Sequence, residues 1–353
     1  MASPNGSERG HFVLLGFSDR PRLEPVLFGV ILAAYVLTLV GNSAIILVAW
    51  ADRRLHTPMY FFLANLSFLD LCFTTTSIPQ LLFNLRGPDK TISYWGCAVQ
   101  LFLFLGLGGA ECFLLAAMAY DRLVAVCRPL RYPAVVRPRL CLGLVSGAWA
   151  GGLANSSAMS PVTLSLPRCG RREVDHFLCE MPALIRAACV DTAAVEGTVF
   201  VLAVAVVLAP LVFILVSYAA IVLTVMGSKA GRRKAANTCG AHLTVVFLFY
   251  GNIVYIYMRP GGGTRERNKF PTLFYNVVTP LFNPLIYTLR NREVKGALRN
   301  LLLGPGQEEG LIRAWERPNN KNDTWEGPEG RGLVGPGGPE DHREAGRGSP
   351  PGS

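Results

Sequence analysis

Charged residues are scarce in this chain. Only 16% of its 353 residues are Asp, Glu, Lys or Arg, whereas 51% are hydrophobic. Soluble domains carry about 25% charged residues, so the composition excludes an ordinary soluble protein. The net charge of +10 does not indicate a nucleic-acid partner, because the basic residues are spread over segments that separate long uncharged runs.

Seven of these runs contain at most one charged residue. A helix needs about 20 mainly apolar residues to cross a bilayer, and every run reaches that length. Strands of outer-membrane barrels are about 10 residues long and alternate in polarity, which excludes that class. The pattern predicts an all-α membrane protein with a bundle of seven transmembrane helices. The runs are Pro25–Ala51, Pro58–Leu85, Thr91–Tyr120, Leu140–Pro167, Gly197–Ser228, Ala235–Met258 and Phe270–Leu289.

Several other features are missing from the sequence. We find no cleavable secretory signal, no repeat of 20–50 residues, no nucleotide-binding loop and no pairing of a nucleophile with a base. The first span is therefore expected to act as its own insertion signal. We expect neither an enzyme nor a protein that needs a cofactor.

The orientation of the chain follows from a sequon and from the cysteines, because basic residues are almost equally divided between the two sides. Asn5 begins an Asn-Gly-Ser sequon, which is glycosylated only on the lumenal side. With the N-terminus outside, Cys97, Cys169, Cys179 and Cys189 lie on or beside oxidising exterior loops. That even number permits two disulfides, so we predict an extracellular N-terminus.

The ends of the chain differ from its apolar centre. Residues 291–303 place hydrophobic residues at helical spacing opposite Arg292, Lys295 and Arg299, which is typical of a helix on the inner membrane surface. Residues 304–353 hold 12 Gly and 7 Pro and have few apolar side chains, which predicts disorder. The predicted segments are an extracellular arm over 1–25, a transmembrane domain over 26–289, an amphipathic juxtamembrane helix over 290–303 and a disordered cytoplasmic tail over 304–353.

Two acidic residues lie inside predicted spans. Asp70 and Glu111 accept a cost of about 2.5–3.5 kcal/mol each at a helix centre. Hydrogen bonds to neighbours such as Asn42 and Asn283 would make them a polar core that fixes helix packing. Alternatively, they form a cation or proton site that couples helix positions. A transporter would also use intramembrane charges, although the repeats typical of transporters are not obvious here.

Two motifs lie at the inner ends of spans. Asp121 and Arg122 end the third predicted span, where they can pair at the membrane edge, with the Arg122 charge reaching water and free to switch partners. Simple interfacial anchoring is the alternative. In the seventh span, Pro284 removes a backbone donor and kinks the helix, Asn283 can satisfy the freed carbonyls, and Tyr287 follows one turn below. That combination suits a helix that changes shape.

These motifs together resemble the rhodopsin-like class of G-protein-coupled receptors, and further strings resemble its olfactory (odorant) receptor family, class II branch. The strings are LHTPMYFFL at 55–63, ECFLL at 111–115, MAYDR at 118–122, SY at 217–218, KAANTC at 234–239 with HL at 242–243, and the block at 280–291. The resemblance covers about residues 5–303. The chain departs from the family at Leu123, where Tyr is usual, at Asn237, where Ser is usual, and in its long tail.

The resemblance implies a multi-pass plasma-membrane receptor. It would bind a small volatile odorant and activate a heterotrimeric stimulatory, olfactory-type G protein that raises cyclic AMP. Membrane lipid and a trafficking chaperone are the other implied partners, and no metal or cofactor is expected. Given the departures, a receptor that folds but no longer signals is one alternative, and an ion or solute transporter that uses Asp70 and Glu111 is another.

The resemblance also assigns roles to residues. Cys97 should pair with Cys179, and Cys169 with Cys189, so that the exterior loop covers the pocket mouth; this pairing argues against a metal site over 176–180. Coupling and switching are carried over to Asp121, Arg122, Asn283, Pro284 and Tyr287.

Helical phase predicts which residues face the ligand. The selected faces are almost wholly apolar with a few tyrosine hydroxyls, as in small-molecule pockets, although a helix-packing core has the same composition. The residues are Phe104, Leu105, Gly108, Gly109 and Cys112 in the third span, Leu202, Ala203 and Val206 in the fifth, and Tyr250, Ile253, Val254 and Tyr257 in the sixth.

Overall fold

The fold is known from a computed structural model that describes residues 10–257, 269–290 and 292–303. The predicted glycosylation site at Asn5 and the tail after Leu303 lie outside the described residues. The described residues form three short strands: β1 (His11–Leu14), β2 (Thr91–Ser93) and β3 (Glu173–Val174). The helices are α1 (Glu24–Ala51), α2 (Pro58–Arg86), α3 (Tyr94–Cys127), α4 (Tyr132–Val135), α5 (Pro138–Ser165), α6 (Met181–Arg186), α7 (Ala193–Ala203), α8 (Ala209–Val225), α9 (Lys229–Tyr257), α10 (Lys269–Arg290) and α11 (Arg292–Leu303).

Long helices coincide with the apolar runs of the sequence. α1, α2, α3 and the helix formed by α7 and α8 together are long and apolar enough to cross a membrane. α5, α9 and α10 overlap the three remaining predicted spans. The prediction of a helical membrane protein is confirmed at this level.

The distribution of side chains also suits a bilayer. Large apolar residues such as Val40, Leu223 and Phe247 are 62%, 70% and 75% exposed, whereas Asn42 and Asp70 are at most 1% exposed. Contiguous apolar surface on this scale would be unstable in water, and polar groups are costly in lipid. The helices therefore turn their apolar faces outward and gather polar groups between them.

The third helix differs from its predicted span at both ends. Thr91–Ser93 forms β2, and the Ser93 hydroxyl accepts a hydrogen bond from the Gly96 N–H at 3.0 Å, which caps α3. The helix then continues through Asp121 and Arg122 to Cys127 instead of ending at Tyr120. It stops where Pro129 disfavours helical geometry in the preceding residue. The Asp-Arg pair thus lies within a helix and not at its end.

The N-terminal arm takes part in a small sheet. β1 pairs antiparallel with β2 and parallel with β3, so that Phe12 faces Ile92 and Leu14 aligns with Val174. All four of these side chains are buried in one cluster with residues of the loop that follows α5. The sequence indicated only an arm over 1–25, because strand pairing across distant segments leaves no local pattern in so short a strand.

A buried lysine secures the arm to α10. The Lys269 ammonium donates to the Gly16 carbonyl at 2.7 Å and pairs with the Asp175 carboxylate at 2.7 Å. Gly16 has a φ of +51°, a conformation that glycine adopts without strain. The Lys269 ammonium therefore joins the N-terminal arm, the loop between α5 and α7, and α10.

Small residues let α3 and α5 approach closely. A Cβ atom added to Gly152 of α5 would lie 2.5 Å from the Ala110 nitrogen of α3 and closer still to the Gly106 carbonyl oxygen. Gly109 faces Gly152 as well, with 3.2 Å from its own hypothetical Cβ to the Gly152 Cα. Backbones packed this tightly gain dispersion contacts and are typical of membrane helices.

We expect Gly152→Ala to destabilise the protein, because its methyl group collides with backbone that cannot move without separating α3 from α5. Overpacking of this kind costs about 1–3 kcal/mol. The measurement is the melting temperature of the purified protein. Gly147→Ala in the same helix is the control, since nothing lies within 4 Å of its Cβ position. Equal melting temperatures for the two variants would contradict the close contact.

The juxtamembrane segment forms helix α11, over residues Arg292–Leu303. Val294 and Ala297 are buried, whereas Lys295 and Arg299 are exposed. One face is therefore packed and the other basic, as its sequence pattern indicates.

Candidate functional site

Two disulfides organise the loop between α5 and α7. Cys97, in the first turn of α3, is bonded to Cys179, with 5.4 Å between the Cα atoms. Cys169 is bonded to Cys189, 6.0 Å away between Cα atoms. The Cys179 N–H also donates to the Gln100 side-chain oxygen at 2.8 Å. The loop is thus held against the N-terminal end of α3, and Cys179 has no thiolate that could bind a metal.

A cavity of about 520 Å³ lies below this loop. Its volume is in the range of small-molecule sites, and its lining is mostly apolar. The structure brings together most of the residues that helical phase had assigned to the ligand. Those that line it are Phe104, Leu105, Gly108, Gly109, Cys112, Leu202, Ala203, Val206, Ile253 and Val254.

Helical phase also assigned two tyrosines of α9 to the ligand, and the structure describes the side chain of only one of them. Tyr250 does not line the cavity: it is 3% exposed, and its hydroxyl donates to the Cys112 carbonyl at 3.3 Å. Helical phase alone could not show that α9 turns this residue toward the backbone of α3. The side chain of Tyr257 lies outside the described residues.

Other segments contribute lining residues that the sequence reasoning missed. α5 provides Asn155 and Met159, and α10 provides Thr272 and Tyr275. The loop provides Glu180, followed by residues of α6 that include Arg186. Sequence reasoning considered Glu180 only within the possible metal site over 176–180. A charged residue that directly follows Cys179, in the loop expected to cover the pocket, is the sequence feature that indicates it.

A π-helical turn shapes one wall of the cavity. Between α7 and α8, the Ala209 N–H donates to the Val204 carbonyl five residues earlier. Pro210 follows directly and has no N–H for the Val206 carbonyl, so regular α-helical bonding is interrupted there. Val204, Val206, Val207 and Leu208 all line the cavity.

The loop also holds charged groups close to the cavity. Glu180 is 5% exposed, and burial raises the pKa of its carboxyl to about 7 against the opposing effect of Arg186. His176 lies 3.5 Å from it, between Nε2 and Oε1. Burial, with Arg186 and Lys269 adding to it, lowers the pKa of the His176 imidazole to about 3, so this ring is neutral.

The polar core joins α1, α2 and α10. The Asn283 amide donates to both carboxylate oxygens of Asp70, at 2.9 and 3.2 Å. Pro284 has no N–H for the Pro280 carbonyl, and the Asn42 amide donates to that oxygen at 3.0 Å. This corrects the expectation that Asn283 satisfies the freed carbonyl, because Asn283 is already bonded to Asp70.

Glu111 belongs to the same buried region. It is 3% exposed, and its Oε1 has no hydrogen-bond partner within the part of the chain that the structure describes. A carboxylate in this position is costly in a low-dielectric interior. The two interpretations of the acidic pair therefore both remain predictions.

The Asp121–Arg122 pair is more buried than the sequence indicated. Arg122 is 7% exposed, and its Nε donates to Asp121 Oδ2 at 2.9 Å. The Tyr132 hydroxyl of α4 donates to Asp121 Oδ1 at 2.7 Å. The expectation that the Arg122 charge reaches water is wrong, because α3 continues past this point and α4 covers the pair. Tyr287 is also buried, 8% exposed.

Comparison with known proteins gives one consistent result. The family model described as olfactory receptor matches residues 31–304. Human olfactory receptor 2W3 is 70% identical over 307 residues, which cover 86% of this chain and 98% of that receptor. Mouse olfactory receptor 2C1 is 57% identical over 305 residues, covering 86% and 98%. Human olfactory receptor 2W1 is 55% identical over 305 residues, covering 86% and 95%.

Proposed function

The chain belongs to the olfactory receptor family, class II branch, and from this premise we propose how it recognises an odorant and passes the signal on. It is an odorant receptor and a multi-pass membrane protein. Its relatives are signalling receptors rather than enzymes. We propose that seven helices span the plasma membrane, namely α1, α2, α3, α5, the α7–α8 helix, α9 and α10, with the N-terminus outside.

The proposed ligand site is the cavity under the disulfide-linked loop. A small volatile molecule would bind among α3, the π-helical turn and α9, and would stabilise the receptor state that it binds more tightly. The observation that carries this proposal is the mostly apolar, partly open cavity itself, which is lined by residues of α3, α5, α6, α7, α9 and α10 and by the loop. The faces of these helices converge on a space of ligand size instead of closing on each other.

The proposed signal leaves through the inner ends of the helices. Asp121, Arg122, Asn283, Pro284 and Tyr287 would change partners as the helices move, opening a surface for a heterotrimeric stimulatory G protein of the olfactory type. Cyclic AMP would then rise. Pro284 interrupts the hydrogen bonding of α10, and the freed Pro280 carbonyl accepts from Asn42 of α1. This arrangement supports a bend in α10 that changes when α1 moves against α10.

The proposed segments keep the boundaries stated above: an arm over 1–25, the helical domain over 26–289, α11 lying on the inner leaflet within 290–303, and a disordered cytoplasmic tail over 304–353. The match to the family ends at residue 304, which supports the last boundary. Membrane lipid would contact α11, and a trafficking chaperone would assist surface delivery.

The test is an odorant panel on cells that express the receptor with the G protein and a trafficking chaperone. We expect at least one volatile compound to raise cyclic AMP. Ala203→Phe should abolish that response by filling the cavity, whereas Val201→Phe should retain it, because Val201 is 65% exposed and does not line the cavity. Cyclic AMP is measured at matched surface levels.

Other outcomes of the panel would contradict the proposal. Normal surface display with no response to any compound would favour a receptor that no longer signals. Solute flux without cyclic AMP would favour a transporter that uses Asp70 and Glu111. A full response from Ala203→Phe would move the ligand away from this cavity.

A further inference from the structure

The cavity wall carries an uneven set of charges. Among the residues that the structure describes, three that carry a charged side chain line it: Glu180, Glu196 and Arg186. Glu196 is exposed and accepts a hydrogen bond from the Thr192 hydroxyl at 2.7 Å. The Arg186 side chain is 53% exposed. Glu180 alone is buried, so its charge is the one that water screens least.

Glu180 has no helical role that would explain its position. It occupies the N-cap of α6 (Met181–Arg186), but its side chain makes no capping hydrogen bond. A glutamate at a surface turn would normally extend into water. Here the residue lies between the disulfide at Cys179 and the start of α6, and both hold it against the cavity.

The neighbours of Glu180 compensate its charge only in part. Arg186 Nη2 lies 3.9 Å from Oε1, beyond hydrogen-bond distance. The Leu178 N–H donates to His176 Nδ1 at 3.3 Å, so this nitrogen is the acceptor and Nε2 carries the ring proton. His176 is then a neutral ring and not a counter-ion, and within the described residues its Nε2 makes no hydrogen bond to the carboxyl group 3.5 Å away.

A ligand cation would complete this arrangement. We propose that the odorants of this receptor include small aliphatic amines, bound as alkylammonium ions with the ammonium at Glu180 and the alkyl chain along the apolar wall. This inference rests on the proposed ligand site. An ammonium has three donors for the carboxylate of Glu180 and other acceptors. The Thr272 hydroxyl in the cavity wall has no hydrogen-bond partner in the described part of the chain, so the wall offers a second polar group.

Competing ligand classes fit the same groups less well. A carboxylic acid would place a second negative charge beside Glu180, and the half-exposed Arg186 would have to serve both. A neutral alcohol of equal length fills the apolar wall equally but leaves the buried carboxylate without a counter-charge. Charge-assisted hydrogen bonds are about twice as strong as neutral ones, which favours the amine.

The experiment measures ligand binding directly, apart from signalling. The purified full-length receptor is titrated with hexylamine, 1-hexanol and hexanoic acid while its melting temperature is followed. We expect hexylamine to bind about tenfold or more tightly than hexanol, and hexanoic acid to bind most weakly. Hexylamine binding no tighter than hexanol binding would overturn the inference while leaving the cavity as an odorant site.

A pair of variants locates the effect. Glu180→Gln should remove the preference for hexylamine but keep hexanol binding, which also shows that the variant is folded. Glu196→Gln, at the same cavity, should keep the preference. An unchanged preference in Glu180→Gln, or its loss in Glu196→Gln alone, would overturn the assignment to Glu180.

The pH dependence provides a test on the unmodified receptor. Only ionised Glu180 pairs with the ammonium, whose own pKa is near 10 as in lysine, so affinity should rise about tenfold from pH 6 to pH 8. The titratable groups of the loop and cavity wall near Glu180 are His176, Arg186, Lys269, Asp175 and Glu196. Burial lowers the pKa of His176 to about 3, so its ring stays neutral from pH 6 to pH 8. A flat profile for hexylamine, or an equal rise for hexanol, would contradict the role of the carboxylate.

Discussion

Replacing Cys97 or Cys179 by serine will abolish both surface display and odorant response. The bond closes a segment with a sequence separation of 82 residues, and a loop of that length corresponds to about 4–5 kcal/mol of stabilisation in the chain-entropy treatment. Its loss also releases the loop from the N-terminal end of α3 and, with the proposed extracellular N-terminus, leaves an unpaired thiol in an oxidising compartment. Surface immunostaining and cyclic AMP are the two measurements.

The control is a cysteine that takes part in neither disulfide. Cys72→Ser removes a thiol from a half-buried site in α2 and should leave display unchanged. The double variant Cys97→Ser/Cys179→Ser should recover part of the display, because it has no unpaired thiol, but should respond poorly without the anchored loop. Normal display and response from both single variants would mean that this disulfide is not needed to hold the loop between α5 and α7 over the cavity.

Arg122→Ala is expected to eliminate cyclic AMP signalling and to lower the surface level. The guanidinium is the counter-charge of buried Asp121, and removing one partner of a buried pair costs about 3–5 kcal/mol. An Arg122 charge that reached water, as the sequence indicated, could be removed without lowering the surface level, but the pair is buried and its loss should lower that level. Signalling is measured at matched surface expression, with any agonist from the panel.

A second variant separates folding from coupling. Asp121→Asn/Arg122→Ala removes both charges and should restore the surface level without restoring the signal. Arg139→Ala serves as the control, since Arg139 is exposed at the start of α5. Full signalling from Arg122→Ala would identify the Asp-Arg pair as an interfacial anchor, and the coupling surface would have to involve other residues.

The membrane class could be read from the sequence because hydropathy is local. A run such as Pro58–Leu85 must be helical in lipid whatever its neighbours are, since its backbone groups can only bond within the segment. The observed helix, Pro58–Arg86, differs from it by one residue. The apolar character of the cavity wall is local in the same sense, because it depends on which residues share a helix face.

Partner choice across helices was harder to predict. Asn42 and Asn283 were both recognised as polar core residues, but their roles depend on how α1 and α10 approach each other. The structure gives the Pro280 carbonyl to Asn42 and the Asp70 carboxylate to Asn283. Residue type and helical spacing are compatible with either assignment, and only the packed geometry selects one.

Burial was the quantity most often misjudged. Tyr250 was assigned to the ligand and Arg122 to the water boundary, yet both are buried, at 3% and 7% exposed. Each assignment used the position of a residue along one helix. Burial depends on what packs against that helix. The Tyr250 hydroxyl meets the α3 backbone, and Tyr132 of α4 bonds to Asp121, the partner of Arg122.

Composition and motif spacing therefore determined the helical membrane class and the receptor family. They also identified the cysteines that could form the two disulfides. Each of these features is local, because it depends on residues close together in the sequence. The convergence of Glu180, Thr272 and Gly108 on one cavity was decided only by tertiary structure. These residues come from a loop and two helices that are far apart in sequence. Their common environment exists only after the α3–α5 contact and the disulfide-linked loop have brought the segments together, because burial and charge compensation depend on distances that no local pattern contains.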